Sequence, residues 1–530
     1  MLDLKLAGGT VLDGTGAPAR RADVGVRGDR IESVGDLAQE RAGRTLDVTG
    51  LTVTPGFIDI HSHSDWRLWG NRRAESKIRQ GVTTEVVGNC GFSPAPVSDE
   101  FRGEMRGFAL YVPEGMDFSW SSTRDYLRHY EDEGVALNVV QLIGHGTLRL
   151  AAMGFARRPP TAREQATMER LMDESMADGA AGLATGLIYA PGSYAATDEI
   201  VGIARRAGGP RRGFYASHIR GEGATLLDAV REAIQVGREA GLPVQVSHIK
   251  AAGRPHWGRV KDALALVDAA RGEGLDVRAD VYPYTASSTS LRTLMPDWVL
   301  EGGIEAMLGR LTDPASRARI RTEISGGAGI LSRGIGWEDV MIANAPARPD
   351  AQGRRVSEIA AARGQDPLDA AFDLLVDEAG RGSVILFQLD EADFRRALAH
   401  PQVMIGSDGS SLAVEGVMGA GKPHPRNYGT FPRVLGHYAR DEKLISLPEA
   451  VRKMTGLPAD RLGLADRGVL RAGARADVVA FDAARIIDRA TYEEPHRYAA
   501  GVSHVLVNGR VVVEGGEHTG ALPGRVLSPS

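Results

Sequence analysis

His61 and His63 stand two residues apart at the end of the run Gly56-Phe57-Ile58-Asp59-Ile60-His61-Ser62-His63. In an extended strand, residues i and i+2 project from one face, so both imidazoles can reach a single metal ion. An HxH pair alone is a weak signal in a chain with 13 histidines. Its position strengthens it. Cys90, His218, His248 and Asp408 also close apolar, β-rich runs, and in barrels of alternating strands and helices the active site is built at the carboxyl ends of the strands. Thiolate, imidazole and carboxylate together suit zinc better than magnesium or calcium, which take all-oxygen shells. Taken singly, each residue has an ordinary role. A lone cysteine is usually a small buried hydrophobe, a strand-end histidine a hydrogen-bonded structural residue, and the aspartate of Gly406-Ser407-Asp408-Gly409 a turn former or helix cap. Six potential ligands at one rim are harder to explain that way.

The elements that would position these groups are legible in the pattern. Eight apolar runs, TVTPGFIDIH, VTTEVVGNC, ALNVVQLIGHG, AGLATGL, GFYASHI, LPVQVSH, LDVRADVYP and QVMIGSDG, alternate with helical stretches. That is the signature of parallel strands with crossover helices, and eight is the number a (β/α)8 TIM-type barrel requires. Thr161 and Glu164 form a capping box ahead of an apolar stripe of Met168, Leu171, Met172 and Met176, which reads as core packing. A second helix spans 226–239 and stops at Gly241, with Pro243 beyond. Both ends of the chain read instead as short strands and turns, with Asn508-Gly509 a two-residue hairpin signal. The expected organisation is an α/β chain in which 1–52 and 466–530 form a small β-sandwich and 53–465 form the barrel. The stretch 285–400, between the seventh and eighth runs, is too long for a barrel loop and is expected to be an inserted helical subdomain or lid.

The chain has 530 residues, 63 Lys plus Arg against 68 Asp plus Glu, and a net charge of −5, with no basic stripe to mark a nucleic-acid partner. No apolar run approaches the ~20 residues needed to cross a bilayer, and the start MLDLKLAGGTVLDG lacks a signal peptide's pattern. A cytoplasmic protein without a membrane partner is expected. Cys90 is the one cysteine, so no internal disulfide can form.

The constellation resembles the amidohydrolase superfamily, and within it the N-acyl-D-amino-acid deacylases, or D-aminoacylases. The segments that carry the likeness are PGFIDIHSHSD, GVTTEVVGNCGFSPAP, GLATGLIYAPGSYA, HIRGEG, QVSHIKAAG, DVYPYTASST, GSDG and HPRNYGTFPRVLG. Gly88-Asn89-Cys90-Gly91 is the specific one, since a cysteine on the second strand marks this branch. Hydantoinase-type relatives place a metal-bridging lysine on the fourth strand, where AGLATGL has none. The resemblance implies that Cys90, His218 and His248 hold a tightly bound zinc. It also implies that His61, His63 and Asp408 line a second, weaker metal position.

The function implied is hydrolysis of the amide bond of N-acyl-D-amino acids to a carboxylate and a free D-amino acid. A metal-activated water is the nucleophile and Asp408 the general base and acid. Matches to the family pattern give Tyr189, Lys250, Tyr282, Ser288 and Arg426 as substrate contacts, with Arg220 ranked below them; an arginine can bind the α-carboxylate bidentately. The loop SSLAVEGVMGAGKP after Asp408 is apolar and hints at apolar rather than acidic D-amino acids. The alternatives are another metal-dependent amidohydrolase (a cyclic-amide hydrolase, a D-dipeptidase or a deaminase) and an inactive barrel used for binding.

Overall fold

Eight short parallel strands carry the middle of the chain in the computed structural model, which describes residues 1–109, 111–208, 213–327, 329 and 334–529. We label them β1 (Phe57–Asp59), β2 (Val82–Val87), β3 (in two pieces, Asn138–Gln141 and Ile143–Gly144), β4 (Gly182–Gly186), β5 (Phe214–His218), β6 (Val244–Val246), β7 (Val277–Val281) and β8 (Val403–Ile405). Each pairs in parallel with its neighbour in chain order within the ladders β1-β2-β3 and β3-β4-β5-β6-β7-β8. A parallel bridge between Ser62 and Gly409 brings the end of the first strand to the end of the last. Alternation decides which side chains face which way. Ile58, Val86, Val140, Ala184, Ala216 and Met404, from six strands, form one apolar cluster, while their chain neighbours Phe57, Val87, Val139, Leu183 and Tyr215 pack into another with the helices.

The helices follow their local signals. Ala162–Ala177 starts on a reciprocal cap in which Thr161 Oγ1 accepts from the Glu164 amide and Glu164 Oε2 accepts from the Thr161 amide. Met168, Met172 and Met176 are buried along it, as a stripe at this spacing requires. Leu226–Ala240 ends at Gly241 in the left-handed conformation, φ 71°.

Both ends of the chain meet in two sheets. One, in the order 30–35, 23–27, 2–7, 42–47, comes from the first fifty residues; the other runs 517–518, 510–514, 502–507, 478–481, 52–55, 10–11, 20–21 and mixes the two termini. Leu4, Leu6, Val24, Val26, Val478, Ala480 and Leu506 pack together between them. The strand Thr52–Pro55 belongs to this unit, pairing antiparallel with Val478–Phe481. The sequence border at residue 52 therefore falls short, because the first apolar run is divided at Gly56. There a β-carbon would sit 2.1 Å from Thr83 Oγ1, so only glycine lets the chain pass from one unit to the other.

The segment between β7 and β8 is not only helical. Its strands Ser287–Ser290, Ser383–Leu386 and Val340–Asn344 form an antiparallel sheet, and with helices such as Gly303–Thr312 and Pro367–Asp377 they enclose a separate apolar cluster that includes Leu311, Phe372 and Leu386. Ser287–Ser290 is polar and carries little periodic signal, while VMIAN and SVIL are short apolar runs that periodicity alone does not tell from buried helix segments. The helix Glu391–Ala399 is different: Phe394, Ala397 and Leu398 join the core of the eight strands. No helix among the described residues is long and apolar enough to cross a membrane.

Candidate metal and catalytic site

The carboxyl ends of β1, β5 and β8 and the turns after β2 and β6 converge. Cys90 Sγ lies 3.3 Å from His61 Nε2 and 3.5 Å from His248 Nε2, and His61 Nε2 is 3.6 Å from Asp408 Oδ1. One donor atom from each of His61, Cys90, His248 and Asp408 falls within 4.8 Å of the others, and all four residues are buried. A tetrahedral ion with bonds of ~2.0–2.3 Å separates its donors by roughly 3.3–3.6 Å, so the spacing suits zinc. His63 Nε2 is 3.0 Å from Asp408 Oδ1. The His218 ring packs edge-on to His248 with centroids 4.4 Å apart; neither of its buried nitrogens makes a well-formed hydrogen bond, and the nearest carboxylate, Glu222 Oε1, stands 3.5 Å from Nε2. Such orphaned nitrogens are costly unless something else satisfies them, and a metal does so. The four-donor group cuts across the split implied by resemblance, because it takes Cys90 and His248 together with His61 and Asp408.

Three of these residues have left-handed backbone, which is costly for Cys90 and His248 and better tolerated by an aspartate. Cys90, His248 and Asp408 have φ of 53°, 37° and 50°, a region that L-residues other than Asn and Asp seldom occupy. The turn that bears Cys90 packs against the end of β4 through Gly186, where a β-carbon would be 1.9 Å from the Cys90 carbonyl oxygen. The fourth strand thus contributes proximity rather than a ligand.

The electrostatics follow from buried imidazoles, a thiol and carboxylates packed at close range. Burial alone would raise the Cys90 thiol, but His61, His248 and His63 hold it well below its usual range. Burial likewise opposes ionisation of Asp408, and Arg426 and His248 overcome it, keeping the carboxyl well below its ordinary value. Burial depresses His63, yet Cys90 and Asp408 bring it up to about 9. His218 is lowered, chiefly by burial.

The expected substrate contacts gather on one side. Arg426 Nη1 donates to Asp408 Oδ2 at 2.8 Å and Nη2 donates to the Ser288 carbonyl at 3.2 Å. The Arg426 guanidinium and the Lys250 ammonium lie 4.9 and 5.9 Å from the Tyr282 ring centroid, and the buried Tyr282 hydroxyl has no partner. Tyr189 packs edge-on to His218 with centroids 5.1 Å apart, and its hydroxyl bonds Thr289 Oγ1 at 3.1 Å. Beside it opens a pocket lined by Phe92, Phe108, Tyr189, Met295 and Leu300, with Arg292 and Asp297. The loop after Asp408 is not part of this lining; Leu412 packs with Tyr428 and Ala490 instead. Arg220 is turned away, bonding Glu232 at 2.8 Å and the carbonyls of Ser193 and Ala195.

Two carboxylates at the site escaped sequence reading. Glu222 Oε1 lies 2.5 Å from Lys250 Nζ, 3.3 Å from His248 Nδ1 and 3.5 Å from His218 Nε2, and forms a second cluster of metal-competent donors with the two histidines. Asp280, in β7, has Oδ1 3.2 Å from His61 Nδ1 and accepts from the His248 amide at 2.8 Å. Supporting carboxylates of this kind fix the tautomer and orientation of ligand histidines. The available signals were the placing of Glu222 four residues after His218 and of Asp280 between Ala279 and Val281 in a strand whose five residues are all buried.

The family profile described as "Amidohydrolase family" matches residues 44–513, and the chain belongs to that family. It is 42% identical to the D-aminoacylase of Alcaligenes xylosoxydans xylosoxydans over 99% of this chain and 97% of that one. A solved D-aminoacylase, described for its binuclear metal centre, superposes with a TM-score of 0.84 at 41% identity over the whole of both chains. The N-acyl-D-glutamate deacylase of Bordetella bronchiseptica, solved with zinc and a phosphonate mimic of the tetrahedral intermediate, does so with a TM-score of 0.83 at 36% identity over 99% of each chain. Within the amidohydrolases, the chain therefore falls among the N-acyl-D-amino-acid deacylases.

Proposed function

We propose that this protein hydrolyses N-acyl-D-amino acids in a zinc-dependent reaction, on a (β/α)8 barrel formed by β1–β8. The reading places a β-sandwich of residues 1–55 and 466–530 beside the barrel and an inserted α+β unit near 285–390 over its rim. The strand order, the Ser62–Gly409 bridge and the shared cluster of Ile58, Val86, Val140, Ala184, Ala216 and Met404 support the barrel. The observation that carries the function is the convergence of Cys90, His61, His248 and Asp408 within 4.8 Å, with Arg426 bonded to Asp408.

By the family resemblance Cys90, His218 and His248 would hold one zinc ion and His61, His63 and Asp408 would line a second position, and the spacing of His61 and Asp408 against Cys90 and His248 supports two adjacent positions with Cys90 between them. Bound zinc supplies a Lewis acid for the amide carbonyl and lowers the pKa of water. Asp408, kept ionised by Arg426, accepts the proton of the attacking water on a carboxylate oxygen and delivers it to the leaving nitrogen. That nitrogen can depart only as an amine, so proton delivery is required for C–N cleavage. Lys250, Tyr282, Ser288 and Arg426 form the polar wall for the α-carboxylate. Tyr189 and the adjoining apolar pocket receive an apolar part of the substrate.

The test is metal analysis combined with a screen of N-acetyl, N-formyl and longer N-acyl derivatives of D- and L-amino acids. Release of acetate and D-leucine from N-acetyl-D-leucine, with the L-isomer inert and activity lost on chelation and restored by zinc, is the expected result. Ammonia release, or hydrolysis of cyclic amides in preference to linear ones, would replace this reading by one of its relatives.

A further inference from the structure

A charge network that the chemistry above does not use pins the loops that carry the site. Lys77, in the helical turn Glu75–Ile78, is wholly buried. Its ammonium donates to Asp59 Oδ2 and to Ser407 Oγ, each at 2.6 Å, and stands 3.1 Å from Glu85 Oε1. Asp59, the last residue of β1, also accepts on Oδ1 from the amides of Ser407 at 2.8 Å and His61 at 3.3 Å. Glu85, in β2, accepts from the hydroxyls of Ser64 at 2.7 Å and Ser411 at 2.8 Å. Every one of these side chains is buried.

Ser407 is the point where this network meets the site. Its hydroxyl donates to Asp59 Oδ2 at 2.6 Å and accepts from Lys77 and from the Gly409 amide at 3.0 Å, so its one proton and two lone pairs are all used. Between Ser407 and Gly409 lies Asp408, whose amide donates to the His61 carbonyl at 2.8 Å, while the His63 amide donates to the Gly409 carbonyl at 2.7 Å. The left-handed backbone of Asp408 is thus held on both sides by main-chain hydrogen bonds to the HxH segment. Two carboxylates and one ammonium buried together are a poor way to gain stability compared with apolar packing. Their geometric product is specific: the β8 loop is locked in register against the HxH segment.

We infer that Lys77, Asp59 and Ser407 are positioning residues that hold the Asp408 carboxylate on its partners His63 and Arg426. The inference rests on Asp408 being the proton carrier of the proposed reaction. A group displaced by about 1 Å can cost on the order of 100-fold in rate. Ser407→Ala in the full chain is expected to lower kcat for N-acetyl-D-leucine about 30-fold, with KM changed by less than about 2-fold and zinc content unaltered. Lys77→Met is expected to do the same more severely; if it fails to fold, Ser407→Ala decides alone. Deuterium uptake read on the same samples gives an activity-free measure. Exchange in a peptide spanning 403–412 rises in the variant, while peptides from the terminal sheets stay as protected as before. A Ser407→Ala protein with unchanged exchange at 403–412, or with kcat within about 2-fold of the unaltered chain, overturns the positioning role. An unaltered chain inactive on every N-acyl-D-amino acid removes the deacylase reading instead, and the exchange result then judges the clamp by itself.

Discussion

The two terminal sheets and the rim around Cys90 are both buried, yet they are built from opposite materials. In the sheets, apolar side chains such as Leu4, Leu6, Val24 and Val26 face one another across a shared core. Their one left-handed non-glycine residue among those described is Asn508, in a hairpin turn that calls for that conformation. At the rim, the buried groups are imidazoles, a thiol and carboxylates, and Cys90, His248 and Asp408 are all left-handed. Burying ionisable groups and bending backbone out of its preferred region both oppose folding. Apolar clusters elsewhere must offset that cost. The difference teaches which changes should cost stability and which should cost chemistry.

The sharpest break in that comparison is at Asp408. Asp408→Asn keeps the size and the left-handed tolerance of the side chain and removes the basic oxygen, so kcat should fall by about 1,000-fold or more with zinc content and melting temperature nearly unchanged. Steady-state kinetics beside metal analysis reads both. A variant with unaltered kcat would take Asp408 out of the mechanism. Cys90→Ala comes next. It removes the thiol held ionised by His61, His248 and His63, and zinc affinity should weaken by about 100-fold or more, measured by competition with a chelator. The chain should still fold, since alanine deletes only the sulfur atom and brings no new atoms into the site.

How much of this was legible follows the same division. The strand runs and the Thr161–Glu164 cap were readable because their signals are local: periodicity, a capping residue, a turn pair. The HxH pair, Cys90, His218, His248 and Asp408 were readable as candidates because each ends such a run. Glu222 and Asp280 were not, because a carboxylate gains its meaning from which imidazole it faces, and that is a contact between distant segments. The same holds for Lys77, whose place between Asp59 and Glu85 is set by contacts with other segments rather than by any local pattern. The polar strand Ser287–Ser290 and the division of the first run at Gly56 were hidden for a related reason. Both depend on tertiary pairing, with Ser383–Leu386 and Val478–Phe481 respectively.

The terminal sheets supply the converse test. Leu6 is fully buried in their core, so Leu6→Ala should destabilise the chain by about 3 kcal/mol. The kcat per folded molecule should not change, because nothing in that cluster touches the rim. Denaturant unfolding and active-site titration on one sample separate the two effects, and a selective loss of kcat would mean that the sheets transmit strain to the site.

The smallest effect belongs to the cap at Glu164, far from either region. Its carboxylate bonds Arg158 through both oxygens at 2.7 and 2.8 Å and accepts from the Thr161 amide at 2.7 Å. The Arg158 hydrogen bonds, aided by Thr161, hold its pKa at about 2. A carboxyl group lowered on folding stabilises the native state above its unfolded pKa, near 4.5, and that contribution is lost as pH falls towards about 2. Because Arg158 is half exposed and Glu164 partly so, screening keeps the contribution small. Thr161→Ala or Glu164→Gln should therefore cost about 1 kcal/mol at neutral pH. For Glu164→Gln the gap to the unaltered chain should close between pH 4.5 and 2, with activity at neutral pH the same. A cost that persists unchanged to the acid end would assign the cap's worth to the neutral hydrogen bonds rather than to the charge.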